Sequence, residues 1–431
     1  MSGPQFDYAL AFRRKANSWC GAKRPSIMPP QMTLPLWVPP LSAVLLMQVV
    51  AAFQSQSISV VGPVLTHLAD VAPERIGELT GLVSLGSAWF FLSGNPLMQR
   101  LGSLRTLQLG AMLASVCLLA FFVPSWPLMM LAALLLGVGY APTAPAGSDV
   151  LARYTPPQHR TAMFSIKQAG APLGGAIGGL LLPSAVDLLG WPTALVVTAL
   201  AGLVAALAVQ RLRCALDADR DRSLVLSARM LVSPANLSQP VRALALAPRL
   251  PLLTSASFCF AAIQGNLFAF GVTFLNHEIG LTLVQAGVAA STMLLTGMVG
   301  RVVMGWIADR LGSALSVLRV LAVGATLTAL AFATIAPSWS YAAILAVFAA
   351  GGVAATTWNG VFLAEVARIA PPGKVGVATA GSAFITFLAY TFGPMIFGRV
   401  VSAVGAYGPV FAGIAVLGLV ALATLIVAER R

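Results

Sequence analysis

The stretch Gly305-Trp306-Ile307-Ala308-Asp309-Arg310-Leu311-Gly312-Ser313 lies between two long apolar runs. Its Arg-Leu-Gly-Ser ending repeats Arg100-Leu101-Gly102-Ser103, found 210 residues earlier (310 − 100). A second echo has nearly the same offset. Arg153-Tyr154-Thr155-Pro156-Pro157 returns as Arg368-Ile369-Ala370-Pro371-Pro372, 215 residues later (368 − 153). Two different short motifs at nearly the same spacing divide the 431-residue chain into related halves. Among apolar runs, such duplication is the mark of a carrier built from repeats.

Composition sets the class. Hydrophobic residues make up 58% of the chain and charged residues 9%, with a mean hydropathy of +0.87. A water-soluble protein carries about a quarter charged residues, so this one is expected to sit in a bilayer. The runs are continuous rather than alternating, which excludes a transmembrane barrel. At about 20 apolar residues per crossing, twelve spans are expected near residues 38–65, 76–98, 106–124, 127–152, 161–184, 190–210, 250–275, 281–305, 316–336, 340–366, 376–402 and 407–428. The expected fold is an all-α polytopic membrane protein, with twelve transmembrane helices in two pseudo-symmetric six-helix bundles. The expected divisions are a basic tail (1–37), a first bundle (38–211), a central loop (212–248) and a second bundle with a short tail (249–431).

The net charge of +13 is distributed by side. With both termini on one side, that side collects Arg13, Arg14, Lys15, Lys23, Arg24, Arg100, Arg105, Arg153 and Arg160. It also takes the arginines of the central loop, Arg310, Arg319, Arg368, Lys374, Arg430 and Arg431, whereas the opposite side holds only Arg75 and Arg399. The asymmetry predicts cytoplasmic termini in a multi-pass protein of the cell (plasma or inner) membrane. It also removes the nucleic-acid reading of a basic chain, because the charge forms no single patch. Cys20, Cys117, Cys214 and Cys259 show no metal-ligand or disulfide spacing. The first 36 residues lack the apolar core and cleavage site of a secretory signal, and Met1, Met28 and Met32 are all candidate starts.

The layout and the intact G-x-x-x-D-R-x-G between spans 8 and 9 resemble the major facilitator superfamily. The copy between spans 2 and 3 is degenerate, with Gln99 where the family usually has aspartate. Gly300-Arg301-Val302-Val303-Met304-Gly305 is similar to a segment of bacterial organic-anion and monocarboxylate porters. That resemblance implies that Arg301 binds a substrate carboxylate, although Gly297 stands where those porters often carry an acid. Motif residues Gly305, Asp309, Arg310, Gly312, Arg100 and Gly102 are implied to gate, and Asp149 and Glu365 extend the layer as an expected cytoplasmic ion-pair gate.

Ionisable groups inside spans are costly and so are functional candidates. Arg301 and Lys167 lie at similar depth, one in each half. Together they would form a two-point clamp for an anion, unless both snorkel to the headgroups. If spans 1, 4, 7 and 10 line the cavity, as the resemblance implies, Gln54, Gln56, Tyr140, Gln264, Asn266, Trp358 and Asn359 add polar and aromatic contacts. Each of these could instead bond helix to helix.

The expected function is secondary transport of a small solute, favouring an organic anion such as a carboxylate. Expected partners are that small-molecule substrate, the lipid bilayer, and a co-transported proton or exchanged anion, with the protein a monomer. An exporter of drugs or amphipathic compounds is the rival within the class. A non-transporting receptor on a carrier scaffold is the rival outside it. No P-loop, H-E-x-x-H or G-x-S-x-G occurs, so no nucleotide, metal or other cofactor and no catalytic activity is expected.

Overall fold

The computed structural model describes residues 37–154, 160–218, 220–224, 227, 233, 238, 241–371 and 375–430. The expected tail therefore lies outside the described residues except for Trp37. Among those described there is no strand, and twelve helices are long and apolar enough to cross a membrane. Spans 1 to 6 are Val38–Val60, Pro73–Ser93, Ser103–Ala120, Trp126–Leu151, Ile166–Leu189 and Trp191–Leu216. Spans 7 to 12 are Arg249–His277, Leu283–Ala308, Ala314–Thr334, Tyr341–Val366, Gly381–Val404 and Tyr407–Arg430. Helix is the only open-ended element lipid tolerates, because it satisfies its own backbone donors and acceptors.

The helix pairings repeat between the halves. Span 1 packs on span 5, span 2 on span 4, and span 3 on spans 4 and 6. In the same order, span 7 packs on span 11, span 8 on span 10, and span 9 on spans 10 and 12. The halves meet through two further pairs related by the same symmetry, spans 2 and 11 and spans 5 and 8. Span 7 is buried along almost its whole length and forms the centre.

Glycine permits the contact between halves. A methyl group on Gly77 would lie 2.2 Å from the Pro394 carbonyl oxygen, and one on Gly81 would lie 2.4 Å from that of Thr391. Across the other pair, Gly287 meets the Gly179 carbonyl, and Ser291 Oγ donates to Ala176 O at 2.9 Å. Such backbone-to-backbone approach is how helices pack where lipid supplies no hydrophobic drive. All these contacts lie toward the end of the molecule remote from Val38 and Arg430. At the terminus-bearing end, Gly305 and Gly312 have nothing within 4 Å of a would-be side chain, and Leu311 is 62% exposed.

Span 6 ends in the helical turns Gln210–Leu212 and Arg213–Leu216, and Asp217, the first residue beyond it, is buried. A carboxylate in a polar stretch gives no sequence sign of burial. Here its partners come from residues more than 110 positions away.

Candidate functional site

Five spans deliver one polar cluster. Gln264 on span 7 is its hub. Its Oε1 accepts from Trp358 Nε1 at 2.9 Å, from Tyr390 Oη at 3.1 Å and from Asn359 Nδ2 at 3.5 Å. Three converging donors fix the amide, as a buried polar group requires. Trp358 is fully buried and stacks on Phe260 with ring centroids 5.4 Å apart, so it backs the cluster from within the core.

Arg301 on span 8 reaches across to span 10, where its Nε donates to Thr356 O at 3.3 Å. Its charge acts on the Tyr390 hydroxyl of span 11 and the Tyr140 hydroxyl of span 4. Tyr140 is thus the contribution of the first half. No ion pair of the described residues includes Arg301. A partly buried cation without a carboxylate partner is costly unless something else supplies the negative charge. Asn266 is also buried on span 7, with its Oδ1 unpaired.

The other predicted residues part company with this cluster. Lys167 does not snorkel. It is 1% exposed, donating to Ala144 O at 3.2 Å and Gln168 Oε1 at 3.3 Å, and its stem packs on Gly147. These contacts lie within the first half, and none links Lys167 to Arg301. Gln54 turns into the first half as well, bonding Ser115 Oγ at 2.9 Å and Thr198 O at 3.5 Å. Gln56 faces the other way, against Gly175, and lines a narrow crevice with Phe268 and Met293. Tyr390 joins the cluster from span 11, a helix outside the expected lining set of spans 1, 4, 7 and 10.

The expected gate residues with described side chains are partnered by their own halves or by the chain beyond span 6. Asp149 takes Arg153 Nη2 at 2.7 Å and the Ser103 hydroxyl, while Glu365 receives a forked pair from Arg368 at 2.5 and 2.8 Å. Arg310 lies over the Trp306 ring at 4.2 Å, and Arg100 donates to Arg222 O. Asp309 falls on the helix of span 8, and its side chain lies outside the described residues. No ion pair of the described residues joins the halves in this layer.

The first copy of the repeated motif is covered by the chain beyond span 6. Asp217 accepts the backbone N–H groups of Leu104 at 2.8 Å and Arg105 at 2.9 Å, capping the helix that begins at Ser103. Asp221 N–H donates to Gln99 O at 2.8 Å. Burial pushes the Asp217 carboxyl above the ordinary carboxylate range, against the pull of the two N–H groups and of Arg213 and Arg153. Arg213 Nε stands 4.0 Å from its Oδ2.

Comparison with known proteins bears on this arrangement. Residues 44–380 and 253–431 match the family model described as Major Facilitator Superfamily. A probable anion transporter of Arabidopsis thaliana is 32% identical over 151 residues, 34% of this chain and 34% of that protein. A probable nitrate/nitrite transporter of Mycobacterium tuberculosis is 34% identical over 157 residues, 35% of this chain and 38% of that protein. These matches span little more than a third of the relatives' length. In fold, the chain is similar to a bacterial homologue of the human lysosomal transporter Spinster in an inward-facing, unoccupied conformation. The TM-score is 0.70 at 16% identity, covering 92% of this chain and 98% of that one. A nucleoside transporter gives a TM-score of 0.73 at 15% identity over 90% of this chain and 99% of that one.

Proposed function

The chain belongs to the major facilitator superfamily, and from that membership we propose that it is a secondary carrier of a small anion. One observation carries the reading. Arg301 is held among hydroxyl and amide groups with no carboxylate paired to it among the described residues. A guanidinium placed so can take an anion through two parallel hydrogen bonds. The names of the Arabidopsis and Mycobacterium relatives support the same class. An exporter of cationic compounds would need negative charge here, and the cluster offers none.

The carrier works by rocking one half against the other. The contacts between spans 2 and 11 and between spans 5 and 8 hold the two halves together toward the far end. The Arg-rich, terminus-bearing end faces the cytoplasm. When that end closes, Asp309 and Arg310 meet groups of the other half, and their motif acts as the gate.

The test is binding and counterflow with the full chain. Purified protein is titrated with carboxylates, nitrate, sugars and lipophilic cations while its melting midpoint is followed, since a ligand of the folded state raises it by mass action. Anions should stabilise the protein and drive exchange in proteoliposomes. Arg301→Gln should weaken that binding about 10- to 100-fold, the worth of a hydrogen bond to a charged group. Anion binding of equal strength in the mutant would end this reading, and binding without counterflow would favour a receptor.

A further inference from the structure

The site is asymmetric in a way that the repeat makes measurable. At the offset that relates the two Arg-Leu-Gly-Ser copies, the counterpart of Arg301 is Phe91 (301 − 210). Where the second half offers a cation, the first offers an aromatic ring at equivalent depth. That ring is placed to matter. Phe91 meets Phe387 of span 11 edge to face, with centroids 4.8 Å apart at 85°. Phe387 meets Tyr390 in the same manner at 5.5 Å and 71°. Tyr390 is the residue whose hydroxyl bonds Gln264 and feels the charge of Arg301. Ring contacts therefore run from Phe91 to Tyr390, whose hydroxyl lies within the field of the guanidinium.

Along span 2, Gly77, Gly81 and Phe91 succeed one another toward the terminus-bearing end, facing Pro394, Thr391 and Phe387 of span 11. Of these three contacts the Phe91–Phe387 pair lies nearest the terminus-bearing end. Phe91, Phe387 and Tyr390 are each only partly buried, so they retain surface for a ligand. Lys167 cannot supply a second positive charge to the same ligand from its position, sealed against Gly147.

Resting on the anion-carrier reading above, we infer that the substrate is a monocarboxylate bearing an aromatic ring. Its carboxylate pairs with Arg301 and its ring packs edge to face in the set formed by Phe91, Phe387 and Tyr390. One unpaired cation compensates one negative charge, and a second carboxylate would be desolvated without a partner. The edge-to-face arrangement of the three rings is the geometry in which a further ring adds favourably. A small inorganic oxyanion would give up water against these rings and gain nothing from them. Phe91 is then a specificity-determining residue of the first half.

The experiment compares benzoate and phenylacetate with acetate, nitrate and phthalate on wild type, Phe91→Ala, Phe91→Leu and Arg301→Gln, read by melting-point titration and by counterflow. The aromatic monocarboxylates should bind at least tenfold tighter than acetate, nitrate or phthalate. Phe91→Ala should remove most of that advantage, bringing the ratio of benzoate to acetate affinity toward one, with Phe91→Leu intermediate. If Phe91→Ala fails to fold, the wild-type ranking and Phe91→Leu decide. Acetate or nitrate binding as tightly as benzoate, lost in Arg301→Gln, would overturn this inference and leave the anion carrier standing. Anion binding indifferent to Arg301→Gln would overturn both.

Discussion

Two copies of Arg-Leu-Gly-Ser start from the same four residues and end in opposite surroundings. Around the first, Asp217 caps the following helix, Asp221 ties the linker to Gln99, and Arg100 holds Arg222. Around the second, Gly312 meets nothing within 4 Å, Arg310 rests on its own helix's Trp306, and Ser313 caps the next helix through Ser316 N–H at 3.3 Å. The repeat encodes the turn, and the linker decides which copy is fastened. A family aspartate is missing from the fastened copy, where Gln99 stands, and present in the free one as Asp309. Acid supplied from outside the motif fastens the first copy, whereas the second copy carries its acid within the motif.

The largest expected difference is between the two glycines. Gly102 has φ +94° and ψ 155°, a region essentially closed to other residues, and a methyl group there would lie 2.3 Å from the Asp217 Cγ. Gly102→Ala should cost about 3 kcal/mol or more, joining backbone strain to the displacement of Asp217 from two hydrogen bonds. Gly312 has φ +61° and open space around it, so Gly312→Ala should cost about 1–2 kcal/mol, the backbone penalty alone. Melting midpoints of the two variants in one detergent make the comparison. Equal losses would mean that the linker does not cover the first copy.

The acids should separate by kind of effect as well as by size. Asp217→Ala leaves two N–H groups uncapped and should lower stability by about 1–2 kcal/mol. Asp309→Asn should leave the melting midpoint and anion affinity near wild type and slow counterflow several-fold, as expected of a group that acts during closure. Wild-type counterflow in Asp309→Asn would remove the gate. Unchanged stability in Asp217→Ala would remove the fastening.

The same contrast explains what was legible in the sequence. Length and apolar continuity fix the number and order of the spans, because a bilayer demands both. Depth is also legible, since rise along a helix is constant, and so Arg301 and Lys167 could be placed at similar depth. Facing is not. Gln54 and Gln56 are two residues, about 200°, apart on span 1. One bonds spans 3 and 6, while the other meets Gly175 and the crevice. Both are amides in an apolar run, and only the neighbours distinguish them. Tyr390 and Asp217 were illegible for a related reason, since each acquires its role from a partner far away in sequence, Gln264 and the Leu104–Arg105 amides. The repeat itself assigns equivalence, as with Arg301 and Phe91, but says nothing of which copy is covered.

The smallest expected effect concerns pH, and it tests what kind of anchor Asp217 is. Its carboxyl is raised above its ordinary value chiefly by burial. A group raised in the folded state contributes stability that is fully present below its unfolded value, about 3.9 for aspartate, and lost as pH rises through the folded value. Asparagine caps helices about as well as aspartate but does not titrate. The melting midpoint of Asp217→Asn minus that of wild type should therefore increase as pH is raised from about 4 to 7. Ser313→Ala, which alters the cap of the second copy without touching a titrating group, should show a difference independent of pH. The opposite slope, with wild type gaining on Asp217→Asn as pH rises, would mean that the Leu104 and Arg105 amides and Arg213 outweigh burial. Asp217 would then hold the linker as an ion, and the fastening of the first half would weaken in acid rather than persist there.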